Sequence, residues 1–176
     1  MLWTTLGGRC DPHASLDGRH ERPGLRARPA QPGDEPPIQR VVAIVLREYG
    51  FAIDLTGIDA DLQDIQTHYL DRGGAFLVIV DAGETIYGCA GLYPLDAATA
   101  EIRKMYVLPQ ARGLGWGRRL LRSLIGHARW RGFDRLVLET AARLGAANAL
   151  YRRFGFAEYA SDHLASRCDL AMELHL

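Results

Sequence analysis

Val107-Leu108-Pro109-Gln110-Ala111-Arg112-Gly113-Leu114-Gly115-Trp116-Gly117 leaves an apolar run and enters a helical one, and the reading of the chain turns on it. Upstream, residues 102–107 read as a strand. Downstream, Leu121, Leu124, Ile125 and Ala128 recur at helical spacing and predict a helix over 115–131. A glycine-rich turn between a strand and a helix gathers unpaired main-chain N–H groups at the positive end of the helix dipole, which favours an anion. The glycines let the main chain approach that anion closely. A lone G-x-G is most simply a chain reversal, but the flanking elements and the neighbouring Arg112, Arg118 and Arg119 shift the reading to phosphate binding.

Missing residues narrow the phosphate ligand. An NTP-binding loop needs Lys-Ser/Thr after its last glycine, and Arg118-Arg119 stand there. A dinucleotide fingerprint needs glycine at 118, although Glu139 closes the following strand where a ribose-binding acid could sit. A nucleotide-binding module therefore stays open as an alternative.

Working outward, residues 136–140 predict a strand after the helix, so the turn lies inside a strand–helix–strand unit with a crossover connection. Residues 75–80 and 85–92 predict a hairpin that forms a meander with 102–107. Further upstream, 25–29 reads as an edge strand. Asp34 reads as the cap of a helix carrying Pro36 and Pro37 in its first turn and ending near Gly50, and 60–70 reads as a weaker helical piece. A short helix over 146–154 and a strand pair around 156–159 and 167–174 finish the chain. Residues 1–23 lack periodicity and read as a flexible extension, leaving one domain over 24–176.

The 176 residues are 48% hydrophobic and 24% charged with zero formal net charge, which gives no bulk attraction to nucleic acid or membrane. Cys10, Cys89 and Cys168 are far apart, with no C-x-x-C and no histidine at ligand spacing, so neither a disulfide framework nor a metal site is expected. No apolar run reaches a membrane-spanning length, and a cytoplasmic location is expected.

The segment Gln110-Ala111-Arg112-Gly113-Leu114-Gly115 resembles the Q/R-x-x-G-x-G/A signature of the GCN5-related N-acetyltransferases (GNAT). EIRKMYVLP at 101–109 precedes it, and NALYRRFGF at 148–156 follows at that family's usual distance. The resemblance covers 25–174 and implies an α/β (mixed α+β) fold: a twisted mixed sheet, splayed between its fourth and fifth strands and flanked by helices. It implies an acetyl-CoA-dependent acyltransferase, without metal, acting on a small-molecule or peptide amine. A homodimer is common in that family. A non-catalytic acyl-CoA sensor is the other reading that stays open.

The resemblance also implies residue roles. Main-chain N–H groups from Arg112 through Gly113, Leu114, Gly115, Trp116 and Gly117 hold the pyrophosphate, with Gln110 and Arg118 beside them. The edge of Met105, Tyr106 and Val107 pairs with the pantetheine arm, and the Val107 amide polarises the thioester carbonyl. Asn148 contacts the cofactor. The Tyr151 hydroxyl protonates the departing thiolate, its ordinary pKa of ~10 keeping that proton available. Glu101 sits where some family members carry the general base, directly or through water; as plain chemistry it is equally an exposed carboxylate near Arg103 and Lys104. Tyr49, Phe51, His68, Tyr69 and Phe76 are candidates to line the acceptor pocket from the family's general layout, with His68 read first as a helix-surface residue. Transfer is expected to be direct, because Cys89, the nearest thiol by fold, reads as a small apolar strand residue.

Overall fold

The computed structural model describes residues 24–176, and the flexible extension expected over 1–23 lies outside them. Among the described residues the strands are β1 (Arg26–Pro29), β2 (Ala75–Val80), β3 (Ile86–Pro94), β4 (Thr99–Val107), β5 (Arg135–Thr140), β6 (Ala157–Glu158) and β7 (Leu170–His175). The helices are α1 (Glu35–Glu48), α2 (Trp116–Arg131) and α3 (Gly145–Arg153). One mixed sheet runs β1-β2-β3-β4-β5-β7-β6, antiparallel at every junction except β4–β5.

Both faces of the sheet are covered, which explains the near-continuous apolar runs of β2 and β3. On one face Leu120, Leu121 and Leu124 of α2 pack with Ile102, Leu136, Leu138 and Met172. On the other, Ile38, Val42 and Val45 of α1 pack with Val78, Val80, Cys89 and Tyr69.

Asp34 stands at the start of α1 but makes no side-chain cap bond. A capping oxygen accepts from the second or third helical N–H, and those positions are Pro36 and Pro37, which have none. The carboxylate instead accepts the Gln31 amide (2.8 Å) and the guanidinium of Arg28 (2.6 and 3.1 Å). The helical piece expected over 60–70 is broken into a 3-10 turn, Ala60–Gln63, and a π-turn, Gln66–Leu70. Buried charge accounts for the break. Asp59 is held to Lys104 on β4, while the Tyr69 hydroxyl donates to Asp61 at 2.6 Å from the far side of the break.

Two local features position the site. The β4–β5 register covers only Thr99–Arg135, Ala100–Leu136 and Glu101–Val137, although both strands continue. From Ile102 to Val107, β4 therefore pairs with β3 alone. The β3–β4 register also slips between Cys89 and Gly91, and Lys104 there has φ +54°. This bulge increases the twist of β4 and puts Lys104 on the same face as Arg103. Its left-handed backbone costs roughly 1 kcal/mol and is offset by bonds from Nζ to Asp59 (2.6 Å) and to the Ile58 carbonyl (2.7 Å).

Candidate active site

Where β4 and β5 part, a cavity of about 810 Å³ opens, and its wall takes in residues from both faces of the sheet. One end is the glycine-rich turn. Gly113 and Gly115 have φ of +75° and +82°, and no atom lies within 4 Å of where a Cβ would stand on either. The α2 ladder begins with Arg119 N–H donating to Gly115 O (3.1 Å), so the amides of Trp116, Gly117 and Arg118 precede it. The first turn of α2 holds no acid; it holds Arg118 and Arg119, against the helix dipole. Positive charge added to an already positive helix end suits a bound anion.

The sequence-derived residues divide into those on the cavity wall and those behind it. Met105, Tyr106, Val107, Arg112, Gly113, Gly115, Trp116, Gly117, Arg118, Glu101 and Tyr151 line it. Gln110 is exposed outside the wall, and Leu114 packs against the α2-side core. Trp116 is 1% exposed, with Arg119 stacked on its indole at 4.7 Å, so its part at the turn is its main chain. The Arg112 guanidinium is engaged by Glu48 in a paired contact (2.7 and 3.0 Å), with Nε donating to Val107 O at 2.8 Å. Asn148 is not brought to the wall. Its amide accepts from the Thr140 hydroxyl (2.9 Å) and donates to Ala141 O (3.0 Å), holding the loop before α3.

Tyr151 is buried on α3 with its hydroxyl 3.7 Å from Met105 Sδ, beside the run of β4 that pairs with β3 alone. Burial pushes this hydroxyl above the ordinary tyrosine range, so its proton is retained throughout neutral pH. Across the sheet, burial raises the Glu101 carboxyl above the usual carboxylate range; Arg103 opposes the shift and Glu139 reinforces it. Arg103 Nε donates to Glu101 Oε2 (2.7 Å), and Nη2 forms an ion pair with the same oxygen at 2.6 Å. Among the described residues, Glu101 Oε1 accepts no hydrogen bond.

Several groups at this end escaped the sequence reading. Asp59 is fully buried and receives Lys104 Nζ (2.6 Å) and the Arg167 guanidinium (2.8 and 2.9 Å). Burial works against this carboxylate, yet Arg167, the Asp54 amide and Lys104 hold its pKa below the usual range. Arg143 donates to Tyr49 O (3.0 Å) and stacks on Phe51 (4.4 Å), tying the loop before α3 to the end of α1. No contiguous motif announces such pairs. Of the expected acceptor-side residues, Tyr49 and Phe51 line the cavity, His68 does not, and Tyr69 and Phe76 are wholly buried in the core. Cys168 also lines the wall, but burial pushes its thiol up to about 11, and burial pushes that of Cys89 up to about 12. Neither is a thiolate at neutral pH.

The model of the acetyltransferase (GNAT) family matches residues 39–156. The chain belongs to the GNAT family. A relative, an uncharacterised N-acetyltransferase of Escherichia coli, is 38% identical over 128 residues, which is 70% of this chain and 76% of that one. A GNAT acetyltransferase of Staphylococcus aureus Mu50 shares the fold with a TM-score of 0.79 at 23% identity, covering 86% of this chain and 98% of its own. A phosphinothricin acetyltransferase of Sinorhizobium meliloti, solved in complex with AcCoA, superposes with a TM-score of 0.67 at 20% identity, covering 87% and 89%. The β4–β5 parting is the splay of the GNAT sheet. The open amides at the start of α2, the two positive-φ glycines and the one-sided β4 edge fit a donor carrying a diphosphate and an amide-bearing arm. Among the described residues, no helix is long and apolar enough to cross a membrane.

Proposed function

We propose that this GNAT acetyltransferase transfers the acetyl group of acetyl-CoA directly to a primary amine of a small molecule or peptide within a ternary complex. The observation that carries the reading is the single cavity at the β4–β5 parting, with the open helix end at one extremity and Glu101 at the other. Acetyl-CoA supplies an activated acetyl thioester. The amides from Gly113 to Arg118 hold its diphosphate, the Met105–Val107 edge aligns its arm, and the Val107 N–H stabilises charge developing on the carbonyl oxygen.

An alkylammonium of pKa ~10 must lose a proton before its nitrogen can attack. Glu101 Oε1 receives it, and the raised pKa makes Glu101 a stronger base than an ordinary glutamate. Tyr151 is a weaker acid than an ordinary tyrosine, so its proton moves as the C–S bond breaks rather than before. The N–C bond forms and the C–S bond breaks; the thiol departs with the Tyr151 proton, and the second proton that the nitrogen sheds on becoming an amide returns to the Tyr151 oxygen through solvent. The high thiol pKa values disfavour a cysteine relay.

Initial-rate kinetics against an amine panel test this. Intersecting double-reciprocal lines are expected; parallel lines establish a covalent acyl-enzyme and overturn the direct route. Tyr151→Phe should lower kcat roughly a hundredfold with the Kd for acetyl-CoA unchanged, and an unchanged kcat removes Tyr151 from the chemistry.

A further inference from the structure

Glu139 stands on β5 two residues beyond Val137, where pairing with β4 ends. Residues two apart on a strand share a face, as do residues paired across parallel strands. Glu101, Val137 and Glu139 therefore project from one face at the parting, and both carboxylates line the cavity. Their surroundings differ. Arg103 neutralises Glu101 at 2.6 Å, while Lys104 and Arg167 converge on Asp59. Among the described residues, no guanidinium or ammonium lies within ion-pair distance of Glu139. Among the described residues a single hydrogen bond fixes it, from the Ala165 amide to Oε2 at 2.8 Å, and Oε1 receives none. Arg103, Lys104 and Arg167 are paired to other acids, and Arg143 is held by the Tyr49 carbonyl and the Phe51 ring, so Glu139 leaves a negative charge without an ion-pair partner on the cavity wall.

We propose that Glu139 is a positioning residue that docks the acceptor as its ammonium ion, beside Glu101, and so selects alkylamines that bear no carboxylate next to the amine. The proposal rests on the amine-acceptor reading above. Oε1 accepts an N–H of the incoming cation, whose proton then passes to Glu101. A carboxylate on the carbon bearing the amine meets the Glu139 charge, and Arg103, Lys104 and Arg167 are engaged elsewhere.

Calorimetry on the full chain saturated with CoA tests this without turnover. The probes are pentylamine, pentanol and norleucine, together with phenethylamine, phenethyl alcohol and phenylalanine. Within at least one set the amine should bind about tenfold tighter than the alcohol or the amino acid. Glu139→Gln keeps an acceptor for the Ala165 amide; it should remove that preference and leave alcohol binding unchanged, a discrimination that a merely structural role does not produce. In turnover the same variant should raise the KM for the amine about tenfold while kcat changes little. If the variant fails to fold, the intact protein still decides: a tenfold rise in salt should weaken binding of the amine and not of the alcohol. Equal affinity for amine and alcohol, preference for the amino acid, or an unaltered Glu139→Gln profile overturns the proposal. Amine binding that depends on Glu139 without acetyl transfer leaves it standing and removes the transferase reading instead.

Discussion

At the turn end of the cavity, the groups left open are main-chain amides from one short run of chain, Gly113 to Arg118. At the opposite end, the polar groups are side chains drawn from β4, β5, the segment after α1 and the loop before β7. The first end needs only a strand, glycines and a helix start, so its chemistry is local and tolerates changes of side chain. The second works by long-range pairing. Arg167 reaches Asp59 across 108 positions of sequence, and Lys104 reaches it across 45. It is therefore vulnerable at single atoms.

That contrast breaks first at Asp59. Asp59→Ala leaves Lys104 and Arg167 without their shared carboxylate and should cost about 3 kcal/mol in urea unfolding; a loss under about 1 kcal/mol means that the network is solvated and does not organise this end. Next, Gly113→Glu places a carboxylate at the proposed diphosphate site and forces a side chain onto φ +75°. Calorimetry should show acetyl-CoA affinity down about a hundredfold, with the unfolding midpoint lowered by a few degrees at about 1 kcal/mol for the left-handed backbone, and by no more than that because nothing crowds that Cβ. Retained affinity would place the diphosphate elsewhere.

The pH response sharpens the comparison. In its proposed role as base, Glu101 must be ionised, so kcat/KM should fall as pH falls through a pKa above the ordinary ~4.3 of glutamate, and Glu101→Gln should abolish that limb. Asp59 acts in the other direction. Its folded pKa is depressed, so its contribution to stability is complete above ~3.9 and is lost only as pH falls through the lower folded value. Acid inactivation should precede acid unfolding, and coincident curves remove the distinction. The smallest effect is expected from Arg112→Ala. Its pair with Glu48 is partly exposed, so the stability loss should stay under about 1 kcal/mol, with acetyl-CoA affinity nearly kept if the main chain holds the diphosphate.

The turn was legible because each of its requirements is written within a dozen residues. Strand pattern, glycines and helical period coincide there, and the structure differs only in detail: α2 starts at Trp116, after Gly115 in the left-handed conformation. Elsewhere propensity was overridden. The helical piece over 60–70 yielded to the buried ties of Asp59 and Asp61. The last strand begins at Leu170 rather than near 167, because Arg167 leaves the line of the sheet to reach Asp59. Asn148 and Tyr151 share a helix face, but their spacing could not tell that the Asn148 amide is taken up by Thr140 and Ala141 while Tyr151 reaches the cavity.

Sequence alone determined the order of elements, the strand–turn–helix with its open main-chain amides, and the family. These follow from local backbone chemistry and periodicity, which contiguous residues encode. Only the tertiary structure decided how far β4 and β5 pair before parting, which carboxylates stand at the parting, and which of them a cation neutralises. Those outcomes depend on burial and on charges brought together from distant positions, and no local pattern carries the field that one part of the folded chain exerts on another.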